Sequence, residues 1–432
     1  MKKVLIITYY WPPSGGAGVQ RWLKFVKYLR EFGWEPIVYT PENPEAPAID
    51  DSLLKDIPEN LTVLKTKIWE PYNLYKSFIG QKKEEKINAG FLTEKKKHGL
   101  AEKISVWIRG NWFIPDARKF WIKPSVIFLS EYLKKNPVDA MVSTGPPHSM
   151  HLIALGIKNK LNIPWLADFR DPWTNVDFYD ILKLTKSSDE KHKKLELEVL
   201  KSADKVTVVS WNWAKDFEKI FERNYEVITN GFDDDDFSGN DLKTDEKFSI
   251  RHIGAMNKDR NPHEFWKALK ELLHENENMK KDLKLCLIGK NDISVIESIE
   301  QSGLKEFTET IPYLPHNEVL KQICTSQLLL LPLNDTPNTL GIIPGKIFEY
   351  LAAKRPIFAI GNPKGDSARI IAEANAGVIC DFNDGEKMKK ELLKMFEMFK
   401  SNNLMLRSSN IEKYSRKNKT AEMAALLNSM GA

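Results

Sequence analysis

The sequence predicts two α/β domains, each built on a doubly wound parallel sheet with helices on both faces. The chain has 432 residues, more than a single hydrophobic core usually holds. Apolar runs of strand length alternate with helical patterns along most of it. A polar, acidic stretch at 233–246 interrupts this alternation, and the pattern then begins again. We therefore expect a domain boundary near residue 240.

The first domain, expected over 1–240, opens with a unit that can be followed closely. The apolar run 4–7 predicts a strand, 12–16 a Gly/Pro turn, 19–29 a helix and 37–39 a second strand. This order is typical of a right-handed parallel crossover. Further strands are predicted at 140–143, 164–167, 206–209 and 227–228, and a long charged helix at 188–202.

The second domain, expected over 241–404, repeats the alternation. Its predicted strands are 248–253, 283–288, 328–331, 357–360 and 377–380. Ligands of such sheets lie beyond the carboxyl ends of the strands. Two facing domains would thus form a cleft. The last segment, 405–432, is amphipathic and carries no readable chemistry.

Composition excludes several classes of protein. Three distant cysteines give neither a disulfide framework nor a zinc site, which fits a reducing cytoplasm. No apolar run reaches the length of a spanning helix. The opening apolar run is interrupted by Tyr9, Tyr10, Trp11 and a Pro pair, too early for a signal peptide.

Positive charge is concentrated in one basic, aromatic insertion at about 70–123. Within it, residues 76–123 hold twelve Lys/Arg against five Asp/Glu, with apolar residues between them. One interpretation is a solvated insertion with a few core anchors. Another is docking to an anionic membrane, at the inner face of the cell membrane, or to a lipid-linked acceptor. No motif indicates nucleic-acid binding.

Gly15 and Gly16 lie between the first strand and its helix. Glycines there let the backbone approach a ligand, and the helix N-terminus favours an anion such as phosphate. The alternative is a turn that only needs flexible residues. With Gly18 they do not match the spacing of the dinucleotide fingerprint, and Tyr39-Thr40-Pro41 supplies no acidic residue after the second strand. A dehydrogenase is therefore disfavoured.

The segment 167–173 places three charges at the end of an apolar strand: Asp168, Arg170 and Asp171. A buried structural ion pair would explain them. The alternative is a functional site, with Arg170 facing anionic oxygens and Asp171 near an acceptor. His148 follows the preceding strand and is either an acid or base or a residue that packs at a helix start.

The segment 334–350 follows the leucine strand 328–331. Pro344 and Gly345 open a helix that carries Lys346 and Glu349 on one face. A lysine at a helix start suits a diphosphate, and a carboxylate one turn later suits ribose hydroxyls. An ordinary surface ion pair is the alternative.

These motifs together resemble a known family. The stretches VITNGFDDDDF, IRHIGAMNKDRNP, LKLCLIGK and LLLLPLNDTPNTLGIIPGKIFEYLAAKRPIFAIG, in this order, resemble the retaining GT-B glycosyltransferases that build bacterial surface polysaccharides. The resemblance implies two Rossmann-like domains facing across a cleft. It implies an acceptor in the first domain, a nucleoside diphosphate sugar in the second, and a C-terminal helix that packs back on the first.

The resemblance also implies roles for individual residues. Glu349 would bind the ribose, and Tyr313 and Leu314 the base, of a UDP or GDP sugar. The diphosphate would be bound by Gly15, Gly16, Arg260, Gly345 and Lys346, with Arg260 replacing the arginine often found where Ala255 stands. Arg170 and Asp171 fall where the family has His-Asp, and Gly341 replaces its first glutamate.

The implied reaction transfers a sugar with retention at the anomeric carbon. We expect no metal and no cofactor, because Asp233–Asp236 lie in the linker and no Asp-x-Asp pair ends a strand. A nucleotide-sugar epimerase of the same fold and a catalytically inactive binding protein remain as alternatives.

Overall fold

The computed structural model describes residues 1–46, 48–71, 100–176, 179–237, 242–404 and 409–430. The chain divides into two compact units, one formed by residues 1–229 and 416–432, the other by residues 230–415. Much of the basic insertion, including Phe78, Ile79, Phe91 and Leu92, lies outside the described residues.

The expected boundary at 240 is replaced by one between Thr229 and Asn230. The Phe232 N–H donates to the Tyr414 carbonyl over 3.1 Å. A Cβ on Gly231 would lie 2.2 Å from the same carbonyl oxygen, so the two segments touch through backbone alone. These contacts hold residues 230–232 and 414–415 in the second unit. The C-terminal segment consequently joins the first unit at Arg416, not at 405.

The first unit contains a parallel sheet of seven described strands in the order β3-β2-β1-β4-β5-β6-β7. The strands are β1 Lys2–Ile7, β2 Trp34–Pro41, β3 Thr62–Thr66, β4 Ala140–Gly145, β5 Trp165–Phe169, β6 Lys205–Val208 and β7 Glu226–Val227. The helices are α1 Ala17–Leu29, α2 Leu100–Trp112, α3 Lys119–Lys135, α4 Ser149–Leu161, α5 Lys186–Ser202, α6 Trp211–Ile220 and, from the end of the chain, α14 Arg416–Ser429.

Both faces of this sheet are covered, which explains why its central strands read as unbroken apolar runs. Leu5 and Ile7 of β1 pack in one core cluster, and Val4 and Ile6 in the other. The second cluster includes Met423 and Leu427 of α14, which packs against α1. The C-terminal helix is therefore an integral part of the first unit.

The second unit contains six described parallel strands in the order β10-β9-β8-β11-β12-β13. They are β8 Phe248–Ile253, β9 Leu283–Ile288, β10 Thr308–Ile311, β11 Leu328–Pro332, β12 Ile357–Ile360 and β13 Gly377–Cys380. The helices are α7 His263–Glu275, α8 Glu277–Asp282, α9 Ile293–Gln301, α10 His316–Thr325, α11 Lys346–Ala352, α12 Asp366–Glu373 and α13 Gly385–Lys400.

All described strands are parallel, but the order in which successive strands join each sheet reverses at one place, between β1 and β4 in the first unit and between β8 and β11 in the second. Ligands of doubly wound sheets bind beyond the carboxyl ends of the strands at this reversal. The predicted fold class is confirmed. Over the described ranges, no helix combines the length and the apolarity needed to cross a membrane.

Candidate functional site

In the second unit, the turn after β8 is built around Lys346. The Lys346 Nζ donates to the Ile253 carbonyl at the end of β8. Gly254 follows with a φ of +101°, and a Cβ there would lie 2.9 Å from the Lys346 Nζ. A residue other than glycine would therefore meet both backbone strain and the lysine.

Arg260 lies beside this lysine. Its Nε donates to the Asn334 Oδ1 over 2.5 Å and its Nη1 to the Ala255 carbonyl over 3.1 Å. Asn334 follows β11, so the contact joins the loops on the two sides of the reversal. The sequence predicts no role for Asn334. Its position just after a buried strand is the signal that could have indicated a site residue.

The charge of Arg260 perturbs Lys346. Burial, followed by the charge of Arg260, lowers the pKa of Lys346 to about 7, while the Glu349 carboxylate opposes this. Burial, followed by the charge of Lys346, also lowers the pKa of the buried His252 well below its usual value. Two half-buried cations at the carboxyl end of a parallel sheet form a site suited to an anion.

The remaining predicted residues of this unit lie at the same sheet edge. Gly345 is exposed immediately before α11, and nothing lies within 4 Å of the place a Cβ would occupy. Glu349 is half-buried one turn further on. Tyr313, 66% exposed, and Leu314 follow β10, which is separated from β8 by β9. Their assignment to a base stays a prediction.

In the first unit, Gly15 and Gly16 differ in what they offer. The Gly15 N–H is already donated to the Ala48 carbonyl over 2.9 Å, so it is not available to a phosphate. Gly16 is exposed at the start of α1 with a φ of +97°, and nothing lies within 4 Å of its Cβ position. Of the two predicted phosphate ligands, only Gly16 keeps a suitable geometry.

Asp168 is a structural residue and lies inside β5, not at its end. It is fully buried, forms a 2.8 Å ion pair with Arg21, and accepts hydrogen bonds from Trp22, Thr144 and Thr207. Burial raises the pKa of Asp168, but the charge of Arg21 and the hydrogen bonds from Arg21, Trp22 and Thr207 lower it below the usual value. The ion-pair interpretation of the first charge in 168–171 is therefore correct.

Arg170 holds backbone segments together. Its guanidinium donates to the Gly18 carbonyl over 3.2 Å, to the Thr144 Oγ1 over 3.2 Å and to the Pro146 carbonyl, and it lies over the Tyr10 ring. A Cβ on Gly18 would come within 3.0 Å of this guanidinium. These contacts show that Arg170 positions the residues around it, and its catalytic role stays a prediction.

His148 is a packing residue in this structure. Its ring is buried and stacks on Trp173 at 4.6 Å with an interplanar angle of 4°. Burial, then the neighbouring His151 and Arg170, lower its pKa well below the usual value. The lowered pKa disfavours His148 as a general acid, whereas its role as a base stays a prediction. Asp171 is half-buried, and its predicted place near the acceptor stays a prediction.

Comparison with known proteins identifies the second unit. Residues 233–414, which carry Arg260, Lys346 and Glu349, match the family model of glycosyl transferases group 1. The protein is a glycosyltransferase. No curated protein sequence matches this glycosyltransferase significantly.

Solved structures of similar fold cover nearly the whole glycosyltransferase. Sucrose-phosphate synthase from Thermosynechococcus elongatus is 12% identical, with a TM-score of 0.56 and coverage of 100% of this chain and 96% of that one. The α,α-trehalose 6-phosphate synthase from Burkholderia multivorans is 12% identical, with a TM-score of 0.59 and coverages of 99% and 98%. An Anabaena protein in complex with UDP-glucose is 11% identical, with a TM-score of 0.56 and coverages of 100% and 97%. These likenesses establish the GT-B fold.

Proposed function

We propose that this glycosyltransferase moves a sugar from a nucleoside diphosphate sugar to an acceptor hydroxyl. The observation that carries the proposal is the pair of half-buried cations, Arg260 and Lys346, at the strand reversal of the matched domain. A diphosphate is the anion whose charge would offset both. The similar Anabaena structure holds UDP-glucose, which has such a diphosphate.

The proposed donor contacts follow from the positions of the residues. Lys346 and Arg260 bind the diphosphate, with Gly345 close to its oxygens. Glu349, three residues after Lys346 on the same helix, accepts hydrogen bonds from the ribose hydroxyls. Tyr313 and Leu314 lie against a uracil or guanine base.

In the proposed reaction the bond between the anomeric carbon and the diphosphate oxygen breaks. Its electron pair stays on the leaving diphosphate, where Lys346 and Arg260 stabilise the developing charge. The acceptor oxygen bonds to the anomeric carbon with retention of configuration, and its proton is released. Asp171 lies near that acceptor hydroxyl. The step as proposed uses no cofactor.

A panel of nucleotide sugars tests the proposal. The correct donor should raise the melting temperature, because a ligand that binds only the folded state stabilises it by mass action. Product analysis then follows: slow hydrolysis without acceptor supports a transferase, whereas an epimerised donor supports the alternative of an epimerase. Binding without either product would indicate the inactive alternative.

The acceptor is proposed to be lipid-linked, or a polysaccharide precursor, at an anionic membrane. An exposed aromatic patch supports this, formed by Trp69 (55% exposed), Trp112 (66%), Phe113 and Phe120 (44%). Trp69 and Phe113 both contact the ring of Phe120, and the Lys119 amine lies 5.1 Å from its centroid. Exposed aromatic rings beside lysines suit a membrane interface with anionic headgroups.

Sedimentation with liposomes tests the membrane proposal. Binding to vesicles of phosphatidylglycerol should exceed binding to phosphatidylcholine and should fall with salt. Trp112→Ser with Phe120→Ser should abolish it, while Ile293→Ser, at an exposed position of the second unit, should not. Absence of binding at low ionic strength would contradict the proposal.

A further inference from the structure

One loop of the first unit is held by hydrogen bonds on both sides of the Asp171 carboxylate. The loop follows β5 and is described over residues 170–176; we call it the β5 loop. On one side of Asp171, the Arg170 guanidinium is tied to Gly18, Thr144 and Pro146. On the other side, Trp173 and Thr174 form hydrogen bonds with a helix.

That helix is α5, and both of the residues that accept these hydrogen bonds, His192 and Glu196, lie on one of its faces. The Trp173 Nε1 donates to the His192 Nδ1 over 3.1 Å. The Thr174 Oγ1 donates to the Glu196 Oε2 over 2.5 Å, and the Thr174 N–H lies 3.4 Å from the Glu196 Oε1. His192 and Glu196 are four residues apart, so they lie on the same side of the helix.

Glu196 is an unusual residue for this position. Its side chain is 1% exposed, and within the described chain no Lys, Arg or His forms an ion pair with it. Burial raises the pKa of Glu196 to about 7, although its hydrogen bonds to Thr174 and Trp173 lower it. Burying a carboxyl group without a cation costs free energy that an apolar residue would avoid. The contacts that this carboxyl makes are to the β5 loop.

We propose that Glu196, acting through Thr174, is a positioning residue that holds Asp171 in place for the acceptor hydroxyl. The proposal rests on the proposed function, since it takes Asp171 as the residue near the acceptor. Glu196 itself touches neither substrate. Its loss should therefore misplace the β5 loop and leave the donor contacts in the second unit intact.

Substitutions at both ends of the contact test this. Thr174→Val removes the hydroxyl and Glu196→Ala removes the carboxyl. Each should lower kcat by about tenfold or more, because small misplacements of reacting groups are costly. The KM for the donor should stay within about twofold of the wild type. Thr174→Ser keeps the hydroxyl and should restore kcat.

The matched control is Glu198→Gln, on the same helix but at an exposed position, and it should leave kcat unchanged. Equal kcat in Thr174→Val and wild type would overturn the proposal. So would failure of Thr174→Ser to recover activity when Thr174→Val has lost it.

Amide hydrogen exchange of the peptide covering 170–176 gives a readout that does not depend on activity. Exchange should be faster in Thr174→Val and Glu196→Ala than in wild type and Glu198→Gln, because the anchor of the loop is lost. Unchanged exchange would overturn the proposal. If the wild type transfers no sugar from any donor, the proposed function fails, whereas the exchange result still decides whether Glu196 holds the loop.

Should Glu196→Ala not fold, Glu196→Gln serves in its place. The amide oxygen still accepts from the Thr174 hydroxyl, so kcat should fall less than in Thr174→Val. A larger loss in Glu196→Gln than in Thr174→Val would contradict an action through Thr174.

Discussion

Replacing Lys346 by methionine should remove a pH dependence from donor binding. In the free protein, burial and Arg260 lower the pKa of Lys346 to about 7. A bound diphosphate would raise this pKa toward the ordinary lysine value of about 10.4. Because the bound state holds the proton more tightly, binding takes up a proton, and affinity must fall as pH rises through 7.

The magnitude follows from the two pKa values. At pH 6 about nine tenths of Lys346 is already protonated in the free protein, and at pH 8 only about one tenth. The dissociation constant should therefore rise about tenfold between pH 6 and pH 8, with nearly one proton taken up per ligand at pH 8. Lys346→Met also loses a charge-assisted contact of about 1.5–3 kcal/mol, which is roughly a tenfold to hundredfold weaker affinity.

Calorimetric titration with UDP-glucose, or with the donor that the panel identifies, measures both effects. The diphosphate of a nucleotide sugar keeps a constant charge over this pH range, unlike the terminal phosphate of a free nucleotide. Buffers of different ionisation enthalpy give the number of protons taken up. Lys364→Met, at an exposed lysine of the same unit, is the control and should keep the wild-type slope. A wild-type affinity that does not change between pH 6 and 8 would refute the reasoning.

Four further outcomes are expected. Glu349→Ala should weaken binding of the free nucleoside diphosphate by about tenfold to hundredfold in calorimetry, with Glu349→Gln intermediate, because a charge-assisted ribose contact is lost. Asp171→Asn should lower turnover and leave donor affinity within about twofold in the same assay. Activity measured in EDTA should persist, and a complete loss rescued by magnesium would contradict the proposed phosphate site. The free energy of unfolding should fall by up to about 3 kcal/mol as pH rises from about 4.5 to 7, since folded Glu196 holds a proton that the unfolded chain releases, and Glu196→Gln should flatten this decline in urea titrations.

The sequence predicted the central strands of both sheets because these are buried on both faces and read as apolar runs. Strands β8, β9 and β12 begin and end where the apolar patterns do, and so does the edge strand β13. The edge strands β3 and β10 were not predicted. Their sequences, TVLKT and TETI, are polar and only partly buried, so no apolar run distinguishes them from loops.

The candidate site was predictable where its residues are close in sequence. Lys346 and Glu349 share one short helix, and the spacing alone puts them on one face. The contacts of Arg170, in contrast, were not predictable. Its partners come from Gly18, 152 residues away, and from the turn at Pro146, and no local pattern reports such contacts. Asp168 was ambiguous for the same reason, since its partner Arg21 lies in α1.

The buried Arg21 and the half-buried Lys346 differ in the charge of the oxygens that accept their hydrogen bonds. Arg21 is paired with the Asp168 carboxylate, which neutralises it within the first unit. Lys346 instead donates to an uncharged oxygen, the carbonyl of Ile253. Arg260, whose charge lowers the pKa of Lys346, donates to the Asn334 side chain and the Ala255 carbonyl. Neutral acceptors satisfy the geometry of a donor without cancelling its charge. The Glu349 charge only partly opposes the shift, since the pKa of Lys346 still lies near 7. Lys346 therefore keeps positive charge for a ligand, which is why we assign the diphosphate to Lys346, with Arg260 beside it, and a structural role to Arg21.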